Sequence, residues 1–193
     1  MRADPQRATS SDIDRFAETF GTAMYHDPMI RWPLPSDVSV DSVIAMSKAI
    51  VSMYVEVGSA WMLEGGLGVA SWIAPDAAAR FDELEQPTRA AVAPYTDDGG
   101  ARYGAFWDWL AGHLPSEPCW FMDLVAVHPT ARGRGLGGRL VEHGLALARS
   151  DGLPAFLETS QLGNVSYYER FGFAVVGKEQ APDGGPTIWF MRT

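Results

Sequence analysis

The sequence predicts a one-domain protein of the α/β class, in an α+β arrangement, and three observations carry that expectation. At 193 residues the chain supports one substantial core (1–193) and is short for two ordinary domains. An apolar run from Cys119 to Val127, a glycine-rich turn over 132–138 and a helical apolar period over 136–149 read as strand, turn and helix. Pro154 to Glu158 reads as the next strand, so these pieces make one βαβ unit.

The elements before and after this unit follow from their periods. Ser11 is expected to cap a helix reaching Met24, with Ile13, Phe16, Ala17 and Phe20 on one face. Val43, Ile44, Met46, Ile50, Met53, Tyr54 and Val57 predict a second amphipathic helix that stops at Gly58. Ala60–Leu63 and Leu67–Ile73 flank Glu64-Gly65-Gly66 and predict a β-hairpin. Residues 76–114 read as mainly helical, broken at Pro87, at Pro94 and over 97–100, with Tyr103, Phe106, Trp107 and Trp109 on the last helix. The run ending at Val127 is interrupted only by Asp123 and has the composition of a strand buried on both faces. Asn164 to Phe171 is expected to be a short helix, and Phe173–Val176 and Thr187–Met191 to be strands.

Composition narrows the function. Hydrophobic residues make up 47% and charged residues 20%, which speaks against disordered and fibrous classes. A net charge of −9 repels nucleic acid, so no nucleic-acid partner is expected. Within that acidic chain Arg132, Arg134, Arg139 and Arg149 form a basic island suited to a small anion. No run of eighteen apolar residues and no apolar leader occurs, so no membrane partner is expected. The lone Cys119 forms no internal disulfide and fits a reducing, cytoplasmic setting. His26, His113, His128 and His143 have no metal-ligand spacing, so no metal site is expected.

The glycine turn is the feature with chemistry in it. Glycine allows positive φ and close ligand approach, and a helix starting there aims unpaired N–H groups at an anion, which makes a phosphate socket. Two sockets match its letters. Gly133-x-Gly135-x-x-Gly138 satisfies the dinucleotide fingerprint, with Glu158 about twenty residues beyond for a ribose. Against it, Pro129–Arg132 separates the strand from the first glycine, and the chain after Gly138 is too short for a second mononucleotide half.

The other socket carries a resemblance. Arg132-Gly-Arg-Gly135-Leu-Gly137, after a strand ending Leu124-Val-Ala-Val-His-Pro129, looks like the Arg/Gln-x-x-Gly-x-Gly/Ala element of the GNAT superfamily of N-acetyltransferases. Downstream, Asn164-Val-Ser-Tyr-Tyr-Glu-Arg-Phe-Gly-Phe173 is similar to that family's Asn-x-x-x-x-Tyr-Glu-x-x-Gly-Phe element. Pro154–Ser160 and Val69–Pro75 resemble the puromycin N-acetyltransferase branch in particular. Asp123 and the N-terminal helices depart from that branch, so puromycin itself is not implied.

The resemblance implies a mixed, mainly antiparallel central sheet with splayed central strands, flanked by helices. It implies acetyl-CoA as co-substrate, held by residues 119–193, with residues 1–118 supplying helices and first strands for the acceptor. By the same resemblance the turn Arg132, Gly133, Arg134, Gly135, Leu136, Gly137 and Gly138 holds the pyrophosphate. Val125, Ala126 and Val127 take the pantetheine arm along their backbone, and Asn164 is both helix cap and cofactor contact. Arg134 and Arg139 either add charge to that socket or are solvated surface arginines.

Acetyl transfer from a thioester to an amine needs a polarised carbonyl, a neutral amine and a protonated leaving thiolate. Tyr168 matches the family tyrosine that protonates the thiolate, while Tyr167 is expected to face elsewhere. Asp123 lies in an apolar strand, on the face of Phe121 and Val125 by period two, where a raised pKa suits a base; Glu158 is its rival. A small-molecule primary amine is the expected partner, bound by Asp27, Trp32, Trp107 and Glu158, with Tyr25, Phe106 and Trp109 as further aromatic candidates. An acetyltransferase for protein lysines or N-termini and a non-catalytic acyl-CoA-binding module are the alternatives.

Overall fold

The near-continuous apolar runs at 60–63, 67–73 and 119–127 call for a sheet covered on both faces, and the amphipathic helices around them are the cover. The computed structural model, which describes residues 4–193, resolves this into seven strands and seven helices. In chain order these are β1 (Gln6–Arg7), α1 (Ile13–Met24), α2 (Pro28–Arg31), α3 (Val40–Val57), β2 (Ala60–Leu63), β3 (Gly68–Ile73), α4 (Ala78–Val92) and α5 (Ala101–Ala111). There follow β4 (Trp120–Val127), α6 (Leu136–Ser150), β5 (Ala155–Thr159), α7 (Leu162–Glu169), β6 (Ala174–Gln180) and β7 (Thr187–Arg192).

The strands form one sheet in the order β1-β2-β3-β4-β5-β7-β6. Every neighbouring pair is antiparallel except β4 and β5, which run parallel because α6 carries the chain back across the sheet. Helices α1 and α3 pack on one face, against Val69, Leu124 and Ala126. Helix α6 packs on the other, where Leu136, Leu140, Val141 and Leu145 meet Trp72 and Met122. Gly144 lets α6 lie directly on the Trp72 ring, whose indole N–H donates to Leu140 O at 3.1 Å.

The mixed, mainly antiparallel sheet matches expectation, and so does the splay of its centre. Strands β4 and β5 pair only over Trp120–Met122 with Ala155–Leu157. Beyond them β4 keeps β3, while Glu158 and Thr159 of β5 pair with Phe190 and Trp189 of β7. A gap therefore opens between the two central strands.

Several local expectations are corrected. The first turn is capped by Thr9 with Asp12, not by Ser11, and is a 3-10 turn leading into α1. Helix α4 continues through Pro87, because proline removes one N–H from a largely exposed helix that Arg89 ties to Glu85 and Asp108. The strand β1 has two residues, too few to show a period. Strand β4 is buried only at alternate positions, not on both faces throughout. Its register with β3 skips Asp123, since Ser71 pairs Leu124 and Trp72 pairs Met122. That bulge moves Asp123 and Leu124 to one face and turns Val125 to the α6 side, so Asp123 and Val125 do not share a face.

Candidate active site

The turn before α6 has the backbone its glycines predict. Gly133 and Gly135 hold φ of 78° and 77°, and a side chain at either would point into open space. Gly135 is the N-cap of α6 and offers no side-chain cap, so the amides of Leu136, Gly137 and Gly138 have neither a helical nor a capping partner. Residues 132–135 are exposed, whereas the Leu136 side chain is core and only its backbone faces the turn. Unpaired amides at the positive end of a fifteen-residue helix fit a pyrophosphate. Arg134 pairs with Glu64 of the β2–β3 turn, and Arg139 lies 3.7 Å from the same carboxylate, so part of the basic island is already neutralised.

The gap between β4 and β5 leads from this turn inward. His128 N–H donates to Leu67 O at 2.9 Å, so strand alternation points the amides of Ala126 and Leu124 at β3 and those of Val125 and Val127 at the gap. Ala126 is thus corrected: its amide belongs to the sheet and its side chain to the core. Val125 and Val127 present free backbone to an extended ligand arm.

The gap ends in a cavity lined by Phe20, Met24, Ile30, Met46, Tyr103 and Trp107 around Asp27, Asp123, Glu158 and Tyr168. Tyr168 is 6% exposed, with burial holding its hydroxyl above the ordinary phenol range. Tyr167 meets the Tyr168 ring edge-on at 5.3 Å but turns its own hydroxyl to Gly137 and Gly138. Asp123 accepts a hydrogen bond from the Tyr54 hydroxyl on Oδ2, while Oδ1 is buried without a partner. Burial pushes Asp123 up to about 6, with the Tyr54 bond opposing. Glu158 has a buried, unpartnered Oε2, and burial plus the charge of Asp123 hold its carboxyl well above the usual range.

Asp27 stands on the cavity wall with its carboxylate engaged by the fold. It accepts from Met29 N–H at 2.9 Å, Ser160 Oγ at 3.0 Å and Gln161 Nε2 at 2.8 Å. It therefore caps α2 and ties it to the end of β5, which leaves the free carboxylate oxygens to Asp123 and Glu158. Trp32 does not line the cavity; its ring stands behind Phe106 at 6.2 Å. Tyr25 donates to Val38 O at 2.7 Å and Trp109 packs on Phe190, so neither faces the cavity. Trp107 does line it. Asn164 also lines it, but Gln161 is the cap of α7, and Asn164 Nδ2 instead donates to Thr159 Oγ1 at 3.1 Å. Sequence reasoning missed Tyr54, Ser160 and Gln161, which read only as helix face and strand end.

Among the described residues no group of three or more His, Cys, Asp or Glu is arranged to hold a metal ion, and no helix is long and apolar enough to cross a membrane. Residues 67–173, more than half the chain, match the acetyltransferase (GNAT) family. The chain belongs to that family. The matched stretch runs from the start of β3 through the glycine turn to Phe173, the end of the second motif, and enzymes of the GNAT family use acetyl-CoA as co-substrate.

A peptidyl-lysine N-acetyltransferase, YjaB of Salmonella typhimurium, is 36% identical over 84 residues, 40% of this chain and 57% of that protein. The chain thus spans little more than half the length of this relative. An uncharacterized N-acetyltransferase of Schizosaccharomyces pombe is 25% identical over 182 residues, covering 87% of this chain and 73% of its own. Among solved structures, a histone acetyltransferase HPA2-related protein of Corynebacterium glutamicum superposes with a TM-score of 0.68 at 23% identity, covering 100% of this chain and 96% of that one. The polyamine N-acetyltransferase of Drosophila melanogaster has a TM-score of 0.62 at 15% identity, covering 98% of each chain. These structures share the GNAT fold.

Proposed function

We propose that this GNAT domain transfers the acetyl group of acetyl-CoA to the primary amine of a small, largely apolar molecule. One observation carries the reading: the gap between β4 and β5 ends in an apolar cavity lined by Tyr168 and by two acids, Asp123 and Glu158, each with one buried carboxylate oxygen that has no hydrogen-bond partner. An ammonium with an apolar body suits that combination, because the aromatic and methionine walls take the body and the Asp123 carboxylate the charge. The likeness of Val69–Pro75 and Pro154–Ser160 to the puromycin branch also supports a small acceptor.

Bound acetyl-CoA supplies the acetyl group as a thioester. The amides of Gly133 to Gly138 hold the pyrophosphate, with Arg132 and Arg134 beside them, and Val125 and Val127 bond the pantetheine arm. The Val125 N–H polarises the carbonyl, a contribution of ~3 kcal/mol where such a donor serves an oxyanion. Asp123 Oδ1 takes one proton from the ammonium, freeing the nitrogen lone pair to attack the carbonyl carbon. As the C–S bond breaks, the Tyr168 hydroxyl gives its proton to sulfur. Tyr168 recovers a proton from the acylated nitrogen, so one proton leaves through Asp123 per turnover. The balance is ammonium plus thioester to amide, thiol and one proton.

Peptide lysine is the second reading, favoured by the identity to the YjaB enzyme. Thiol release from acetyl-CoA, followed against aralkylamines, alkylamines and lysine peptides, tests both. The proposal expects turnover with apolar amines and kcat/KM at least tenfold lower on peptides. Turnover on peptides alone refutes it, as does acetyl-CoA binding without any turnover.

A further inference from the structure

The two buried carboxylates of the cavity are not equivalent, and the difference comes from α3. Gly58, with φ of 76°, ends that helix, and Tyr54 stands in its last turn, facing β4. The bulge at Asp123 brings its side chain to the α3 face, where the Tyr54 hydroxyl donates to Oδ2. Glu158, on β5, receives no such donor on Oε2. We propose that Tyr54 is a positioning residue for the transfer: it holds Asp123, rather than Glu158, as the charged member of the pair and fixes the orientation of its carboxyl on the cavity wall. The inference rests on the reading of Asp123 as the base.

The surroundings leave this task to Tyr54. From α5, Tyr103 faces Asp123 as a second buried hydroxyl, itself raised by burial and by the Asp123 charge. From α4, Glu85 and Arg89 border the same small space, but Arg89 is engaged by Glu85 and by Asp108 at 2.8 Å. From α7 comes Tyr168 and from β5 Glu158, with Asp27 beyond it on the cavity wall. Among these groups only Tyr54 donates a hydrogen bond to Asp123. A bond to the charged form favours that form, and Asp123 has the Tyr54 hydroxyl, whereas Glu158 has only its own backbone N–H against burial and the charges of Asp123 and Asp27. Two interacting acids in such unlike environments lose their protons in two steps, and the one that holds the donor ionises first. The phenol itself stays protonated, since burial and Asp123 hold Tyr54 well above the ordinary phenol range.

The test is Tyr54→Phe, which removes the hydroxyl and keeps the ring. The acidic limb of kcat/KM is expected to move up by roughly one pH unit, the equivalent of one lost charge-assisted hydrogen bond. The variant then loses about ten times more activity at pH 5.5 than at pH 8. A loss of the same factor at every pH makes Tyr54 merely structural and overturns the proposal. A melting curve checks that the variant folds; should it not, Tyr54→Met carries the same prediction. Carbon-13 NMR titration of the carboxyls in the free protein, with Asp123→Asn assigning the signal, separates this inference from the function it rests on. An Asp123 midpoint that stays put in Tyr54→Phe overturns the inference whatever the rates do. A midpoint that rises while the rate profile is unmoved upholds the hold of Tyr54 on the charge and removes Asp123 as the base.

Discussion

Asp123 and Glu158 stand on the two strands that part at the centre of the sheet, and each carries one buried carboxylate oxygen with no hydrogen-bond partner. Two acids left half-satisfied in an apolar cavity cost stability, and protein interiors rarely keep such groups without a use. Their separate environments divide the roles: Asp123 is raised to about 6 with the Tyr54 bond opposing, and Glu158 is held well above the usual carboxylate range by burial and the charge of Asp123.

The first prediction concerns stability against pH. Asp123 is raised from 3.8 to about 6 in the folded chain, so between those values the folded state binds more protons than the unfolded one. Its contribution to stability is therefore lost as pH rises from about 4 to about 6 and stays lost above. Asp123→Asn removes that loss: at pH 8 the variant should melt roughly 6–12 °C above the parent, and at pH 4 the difference should nearly vanish. Calorimetric melts at both pH values check this, together with a pH–rate profile in which the variant has lost its acidic limb. A melting difference of the same size at both pH values would contradict the burial cost.

The glycine turn predicts a separation of binding from fold. Gly135→Ala keeps free space around the new methyl but pays for a positive φ, about 1–2 kcal/mol for an L residue. Gly152, at φ 68° beyond the far end of α6, has equally open surroundings and supplies the control. Both alanine variants should lose similar stability, while only Gly135→Ala should raise the KM for acetyl-CoA, by tenfold or more. Titration calorimetry with CoA reads the difference directly.

Packing of α6 on the sheet predicts the opposite case. A methyl at Gly144 would overlap the Trp72 indole, and the ring is fixed by its bond to Leu140 O. Gly144→Ala should cost about 1–3 kcal/mol, and roughly 5 °C in melting temperature, through overpacking. KM for acetyl-CoA should change far less than in Gly135→Ala.

Much of the fold was legible because period and punctuation coincide. The stop at Gly58, the hairpin around Gly65-Gly66 and the strand–turn–helix over 119–150 each combine an apolar period with a glycine where the backbone needs one. The backbone of the glycine turn was legible for the same reason, since its positive φ at Gly133 and Gly135 is a demand that glycine answers. The acceptor half was not. A bulge leaves no mark on the period of β4, so Asp123 was assigned the face of Val125 and its partner Tyr54 was read as core. Asp27 looked like an anchor because a lone acid before Pro28 gives no sign of the three donors that the fold brings to it. Trp32 and Trp107 look alike in sequence; packing alone puts one behind Phe106 and the other on the cavity wall.

Tyr168 is the most direct test of the account. Its hydroxyl is the protein proton donor assigned to the departing sulfur, and burial keeps it protonated throughout the working range. Rapid-quench measurement of acetyl transfer with saturating acetyl-CoA and amine should give a rate constant for Tyr168→Phe at least tenfold below that of the parent, roughly the loss of a general acid. Tyr167→Phe, whose lost hydroxyl faces Gly137 and Gly138 instead of the cavity, should retain the parental rate constant. Equal rate constants for Tyr168→Phe and the parent would contradict the mechanism.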